Sequence, residues 1–133
     1  MSVKEVEKLL QQHSFDRHIG ITVKELKEAN IILELTITPS LLNYNQKVHG
    51  GVIAALLDTA MGMMIRTVVG ERSVTVNLNI SYLAPANENE TLIATAKIVN
   101  RGQNLVTVES EVKDRKKNLL SKAIGTFKIM YSK

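Results

Sequence analysis

Hydrophobic residues recur along the chain with two different periods, which predict two kinds of element. The apolar residues of segment 2–12 fall on one face of a helix, and Ser2 with Glu5 has the spacing of a capping box at its start. Alternating apolar segments separated by turn residues predict six strands: two within 21–39 joined near Ala29 and Asn30, then 73–82, 91–99, 105–112 and 119–131.

Residues 49–65 are the most apolar segment of the chain and predict a second helix. Between Gly50 and Ile65 the sole charged residue is Asp58. A helix that is apolar on every side has to be covered on every side, and a single sheet covers part of it. The pattern therefore predicts that a second subunit contacts this helix.

The predicted strand 73–82 alternates between an apolar and a polar face. The polar face carries small uncharged residues, whereas a face in solvent usually carries Lys and Glu. This composition favours a face buried in an interface or lining a cleft, with chance on a short strand as the alternative. The predicted apolar face comprises Val74, Val76, Leu78, Ile80 and Tyr82, and the polar face Ser73, Thr75, Asn77, Asn79 and Ser81.

The elements follow in the order α-β-β-α-β-β-β-β within one domain over residues 1–133. Strands joined by short turns form an antiparallel sheet, and the apolar helix has to pack against it. The sequence therefore predicts an α+β fold in which a curved antiparallel sheet wraps a long central helix.

The composition narrows the possible functions. The chain has no cysteine, which excludes disulfides, zinc–thiolate sites and a cysteine nucleophile. The net charge of +4 is mild and Trp is absent, so we expect no nucleic-acid partner. The N-terminus has no apolar signal-peptide core, and segment 50–65 is shorter than the ~18–20 residues that span a bilayer. We therefore expect a cytoplasmic protein without a membrane partner.

Two features of the central helix are candidates for chemistry. Asp58 has no cation within one turn, so it is either a catalytic carboxylate or a structural one with a distant partner. His49, Gly50 and Gly51 precede the helix, where free N–H groups suit a developing oxyanion and glycines let a ligand approach the backbone; the alternative is a plain loop-to-helix turn. Gly50 and Asp58 are about 12 Å apart along a helix, so they can serve one reaction only if two helices pack antiparallel across a two-fold axis.

Other chemistry finds little support in the sequence. His13 and His18 lack carboxylates at metal-ligand spacing, and no nucleophile elbow or phosphate loop is present, so we expect neither a metal nor a cofactor. Met61 fits core packing, although its flexible thioether could also line an acyl pocket.

The segment LLNYNQKVHGGVIAALLDTAMG, with FDRHIGITV and NISYLAPA, resembles the hotdog-fold acyl-CoA thioesterases of the phenylacetic-acid-degradation type. The resemblance implies dimers with a continuous sheet, often paired into tetramers. It also implies sites shared between subunits, with Asn43, His49 and Gly50 from one chain and Asp58 and Thr75 from the other. Asp58 would act as nucleophile or general base, the Gly50 N–H would polarise the thioester carbonyl, and the other side chains would orient reactants.

One position departs from the family pattern, because Gln46 stands where the family has glycine. A turn conformation there would be awkward for glutamine, unless Asn45 adopts it instead. The basic residues gain an expected role, since coenzyme A carries phosphate groups that hairpin-turn cations could meet. These cations are Arg101, Arg115, Lys116 and Lys117.

The resemblance implies hydrolysis of an acyl-CoA to a free acid and coenzyme A. A non-catalytic acyl-CoA-binding hotdog protein is the alternative, and a hotdog dehydratase is a lesser rival because its acidic motif is not found here. The acyl group and the choice between dimer and tetramer stay open.

Overall fold

The computed structural model describes residues 2–12, 14–27 and 29–132. Three helices and six strands are present in this part of the chain. They are α1 (Val3–Gln12), α2 (Ser14–Ile19), β1 (Thr22–Lys27), β2 (Asn30–Thr36), α3 (Gly50–Val69), β3 (Arg72–Tyr82), β4 (Thr91–Arg101), β5 (Leu105–Lys113) and β6 (Leu119–Met130), with a 3-10 turn at Pro39–Leu41.

The six strands form one antiparallel sheet in the order β1-β2-β4-β5-β6-β3. α3 packs against β2 and every strand from β3 to β6, so the sheet curves around the helix. The predicted α+β hotdog fold is confirmed. β3 is an edge strand, and its outer edge has no strand beside it in the described chain.

The central helix is longer than the sequence pattern predicted. It continues past Ile65 to Val69 and ends where Gly70 adopts a left-handed conformation (φ +81°) and donates its N–H to Arg66 O at 3.1 Å. Segment 50–65 was predicted to be too short to span a bilayer, and this prediction is wrong, because the 20 residues of α3 are long and apolar enough to do so by length and composition. The helix is nevertheless the core helix, since Leu56, Leu57 and their neighbours pack against the sheet.

α2 was not predicted. Six residues are too few for a clear helical period, so the sequence pattern does not indicate this helix. It ends where Asp16 O accepts the N–H groups of Gly20 and Ile21, with Gly20 at φ +94°. His13, considered above as a metal ligand, lies outside the described residues.

A β-bulge corrects the predicted faces of β3. Thr75 pairs with Phe127 and Asn77 with Thr126, so Val76 is an extra residue and the alternation changes sides there. Cross-strand partners share a face, and the buried residues of β6 face the helix. The helix-facing set of β3 is therefore Ser73, Thr75, Leu78, Ile80 and Tyr82. Val74 and Val76 are exposed instead, at 49% and 56%.

Candidate active site

Asp58 and Thr75 form a direct pair between the middle of α3 and β3. The Thr75 hydroxyl donates to Asp58 Oδ1 at 2.7 Å, and the bulge at Val76 is what places Thr75 on the helix side. Asp58 is partly buried. Burial raises the pKa of Asp58 above its ordinary value, the bond from Thr75 opposes that rise, and the negative charge of Asp16 adds to it. A partly buried carboxylate of raised pKa can act as a base.

The start of α3 presents a free backbone donor. His49 is the N-cap, and its Nδ1 accepts the N–H of Gly51 at 2.8 Å. The carbonyl of His49 accepts from Val52 at 2.9 Å and from Ile53 at 3.4 Å. The Gly50 N–H has no intrahelical partner, and the described residues supply none. It is therefore available to a ligand carbonyl.

These contacts change the expected role of Gly51. Its N–H serves the His49 cap, so it does not face a ligand. A Cβ at this position would lie 3.0 Å from His49 Nδ1, so a larger residue here would crowd the capping ring. The bond also leaves Nε2 of the exposed His49 ring pointing away from the helix.

Tyr82 supports the helix start, and sequence reasoning did not single it out. Its hydroxyl donates to Gly50 O at 2.8 Å, and its ring covers Gly50, where a Cβ would meet the ring at 3.4 Å. The sequence pattern predicted Tyr82 on the apolar face of its strand. Its position as the last residue of β3 was the sole feature that could have indicated a role beside the helix start.

The loop before the helix is organised by Asn43. Its Oδ1 accepts the backbone N–H groups of Asn45 at 2.8 Å and Lys47 at 3.2 Å. The side-chain NH₂ therefore points away from the loop. Gln46 itself adopts the left-handed conformation (φ +63°), so the expected awkward turn is present and Asn45 does not absorb it.

Within one protomer, the helix start with its free Gly50 N–H lies far from the Asp58–Thr75 pair. The Gly50 N–H lies at the first turn of α3, and Asp58 lies about 12 Å further along the same helix. A carboxylate and the carbonyl that it serves have to come within a few ångströms.

The four basic candidates fall at two ends of the sheet. Arg115, Lys116 and Lys117 lie in the β5–β6 turn, at the end where α3 begins. There a cleft of about 390 Å³ is lined by Arg115 and Lys116 together with Asn89, Glu90, Thr91, Asp114 and Asn118. Arg101 lies at the opposite end, about 27 Å away along β5.

Met61 belongs to the core. It is fully buried, and its sulfur packs beside Gly125, so core packing is confirmed and the alternative place in the lining of an acyl pocket is not. An open cleft of about 450 Å³ lies nearby instead. Its lining residues are Leu9, Gln12, Gly62, Met63, Arg66, Arg72 and Ser73.

This cleft adjoins the Asp58–Thr75 pair. Gly62 lies one helical turn beyond Asp58, and Ser73 lies two residues before Thr75 on the same strand face. A Cβ built on Gly62 meets no atom within 4 Å. Among the described residues, no group of three His, Cys, Asp or Glu side chains is placed to hold a metal.

Comparisons with known proteins identify the family of the chain. The model of the family described as "Thioesterase superfamily" matches residues 45–121. Acyl-coenzyme A thioesterase 13 of Homo sapiens is 31% identical over 107 residues, which is 78% of this chain and 76% of that protein. Acyl-coenzyme A thioesterase PaaI of Escherichia coli is 29% identical over 71% of this chain and 66% of its own length. The solved structure of the E. coli PaaI protein superposes with a TM-score of 0.88 over 98% of both chains, at 21% identity.

Proposed function

Because the chain belongs to the thioesterase superfamily, a family of thioester hydrolases, we propose that it hydrolyses acyl-CoA thioesters to a free acid and coenzyme A at sites shared between two subunits. The observation that carries the proposal is the separation of Asp58 from the free Gly50 N–H on one helix. Each group suits one half of thioester hydrolysis, and a single protomer holds the two groups too far apart to act on one substrate. The relatives named acyl-coenzyme A thioesterases support the choice of substrate.

A two-fold dimer would complete the site. The outer edge of β3 offers unpaired backbone groups, and residues 73–82 carry no charge to prevent pairing with another strand. Antiparallel pairing of two β3 edges would extend the sheet across both subunits. It would also set the two α3 helices antiparallel, with Gly50 of one beside the partner subunit's Asp58. Two such dimers could form a tetramer.

In this arrangement the thioester carbonyl would accept the Gly50 N–H, where the helix dipole favours negative charge. Asp58 would take a proton from water as the water oxygen attacks the carbonyl carbon. The tetrahedral intermediate would expel the coenzyme A thiolate, which takes the proton back from Asp58. Alternatively, the Asp58 carboxylate would attack the carbonyl carbon and expel the coenzyme A thiolate, which forms an anhydride; water would then hydrolyse the anhydride to the free acid and the Asp58 carboxylate.

The other side chains would orient these reactants. His49 Nε2 and the Asn43 NH₂ point away from the bonds that hold the loop, so both can reach a carbonyl or a water. Thr75 would hold the Asp58 carboxylate. No cofactor is needed for this chemistry. We also propose that the protein is cytoplasmic and binds neither nucleic acid nor a membrane.

Coenzyme A and the acyl group would lie on different sides of the carbonyl. Arg115, Lys116 and Lys117 lie at the end of the sheet where α3 begins and could contact the phosphates. Arg101 could join them only from the partner subunit. The acyl group would enter the cleft beside Gly62 and Ser73.

The test is thiol release from a panel of acyl-CoAs by the wild type and by Asp58→Asn. Asparagine keeps the shape of the side chain and an acceptor for Thr75 while removing the charge. The proposal predicts turnover that falls at least ~100-fold in the variant, as expected for loss of a general base. Unchanged turnover in the variant would contradict it. Tight binding of acyl-CoA without turnover in either protein would establish the binding-protein alternative instead.

A further inference from the structure

α2 is tied to the central helix directly beside Asp58. The hydroxyl of Thr59, the next residue in the chain, donates to Asp16 Oδ1 at 2.9 Å. The main-chain carbonyl of Asp16 accepts from Gly20 and Ile21, at 3.0 and 3.2 Å. Asp16 is therefore fixed through its side chain and its backbone, and its carboxylate is held near that of Asp58.

A second carboxylate beside Asp58 is electrostatically unfavourable. Like charges close together destabilise the ionised pair, and a threonine hydroxyl needs no more than a neutral acceptor. The neighbouring elements carry other charged groups: Arg17 and His18 on α2, Arg66 on α3 and Arg72 at the start of β3. Among these groups, the charge that acts on Asp58 comes from Asp16.

We propose that Asp16 is a positioning residue for Asp58: its bond to Thr59 holds α2 against α3 and sets a second carboxylate beside that of Asp58. The inference rests on the proposed function, since it assigns Asp58 the task of accepting a proton. The Asp16 side chain has two separate effects. Its hydrogen bond with Thr59 positions α2, and its charge raises the pKa of Asp58.

The charge effect has a definite sign. Burial raises the pKa of Asp58 and Asp16 raises it further, which brings the base closer to neutral pH, where general-base catalysis is most effective. Removing the charge of Asp16 lowers the pKa of Asp58. The acid limb of the kcat/KM profile then moves to lower pH, and kcat at neutral pH falls.

Two variants separate the bond from the charge. Asp16→Asn keeps an oxygen acceptor for Thr59 and removes the charge, whereas Thr59→Val keeps the charge and removes the bond. Glu34→Gln, which neutralises a carboxylate on β2 that pairs with Lys24 at 3.8 Å, is the matched control for a change in net charge.

For Asp16→Asn we expect an acid limb at lower pH, a kcat at neutral pH reduced roughly 2- to 10-fold and an unchanged KM. Thr59→Val should lower the melting temperature and move the acid limb less than Asp16→Asn does, because the charge and the backbone anchor of Asp16 are kept. Glu34→Gln should leave both the limb and kcat unchanged. An acid limb that stays in place in Asp16→Asn would show that Asp16 is merely structural and would overturn the proposal.

Carboxyl-carbon NMR titration of Asp58 gives a readout that does not need activity, with Asp58→Asn to assign the signal. A lower titration midpoint in Asp16→Asn supports the charge effect, and an unchanged midpoint refutes it. If the wild type hydrolyses no acyl-CoA, the proposed function fails, and the titration still decides whether Asp16 acts on Asp58.

Discussion

The proposed site has two halves, one at the start of α3 and one in its middle. The first half depends on the backbone, and the second depends on a titratable side chain. The helix-start half, residues 43–51 with Tyr82, offers a backbone N–H that needs no particular pH. The carboxylate half, Asp58 with Thr75 and Asp16, offers a titratable side chain whose pKa depends on burial and neighbouring charge. The helix-start half should therefore respond to changes of backbone geometry, and the carboxylate half to changes of charge.

Within the helix-start half, the largest effect should come from deleting the backbone donor. Gly50 is the first residue of α3, a position that accepts proline, and His49 before it is extended (ψ 134°), as a residue preceding proline should be. Gly50→Pro removes the N–H while keeping the helix, so we expect kcat to fall by about 10²- to 10³-fold. Gly50→Ala is the control, because it keeps the N–H and adds a Cβ close to the Tyr82 ring. Equal losses in both variants would show that bulk, and not the N–H, is what matters.

Filling the cleft beside Gly62, the proposed acyl site, should affect long substrates selectively. Gly62→Leu places a good helix former in the open space one turn from Asp58 and blocks the cleft. We expect kcat/KM for longer acyl-CoAs to fall about 10-fold or more while acetyl-CoA is spared, since binding lost beside the reacting carbonyl raises the barrier. Val68→Leu, at an exposed position of the same helix, is the matched control. A chain-length profile identical to that of the wild type would exclude the cleft as the acyl site.

The hydroxyl of Tyr82 should have a smaller effect on rate. Tyr82→Phe keeps the ring over Gly50 and removes the bond to its carbonyl, which contributes about 1 kcal/mol. We expect kcat to fall by roughly 10-fold or less, without a shift of the acid limb, because the carboxylate half is untouched. A shifted limb in this variant would show that the two halves are not independent.

Neutralising Asp58 should stabilise the protein while it inactivates it. Because its pKa is raised on folding, the ionised Asp58 costs stability above the folded-state pKa, and the cost vanishes below the unfolded-state pKa. Asp58→Asn should therefore melt at a higher temperature than the wild type at neutral pH, and the difference should disappear at acid pH. A melting temperature lowered at neutral pH would mean that the Asp58 charge is stabilising.

The smallest effect concerns the strained turn. Gln46 at φ +63° adopts a conformation that costs an L-residue about 1–2 kcal/mol. Gln46→Gly should raise the melting temperature with little change in kcat. Asn89→Gly, at φ +70°, should stabilise less because asparagine tolerates this conformation better. An equal or larger gain in melting temperature for Asn89→Gly would contradict the assignment of backbone strain to Gln46.

The sequence predicted the parts of the site that depend on pattern. A lone carboxylate in an apolar helix and glycines at its start identified Asp58 and Gly50, and the strand alternation gave the sheet. The sequence pattern alone did not predict the contact between Thr75 and Asp58, and the family resemblance implied it. The bulge at Val76 moves the residues before it to the other face of β3, and the alternation of apolar and polar residues shows no sign of this change. The roles of Tyr82 and Asp16 depend on tertiary contacts across 32 and 43 residues, which no local period reports.

The central claim is that each site takes its N–H from one subunit and its carboxylate from the other. It is tested by co-assembling two inactive variants, Gly50→Pro and Asp58→Asn, after dissociation and mixing. In a mixed dimer, one site would combine the intact Gly50 of one chain with the intact Asp58 of the other, so random mixing should restore about a quarter of wild-type thiol release. Activity that stays at the level of the separate variants, with mixed dimers confirmed by mass, would contradict the shared site.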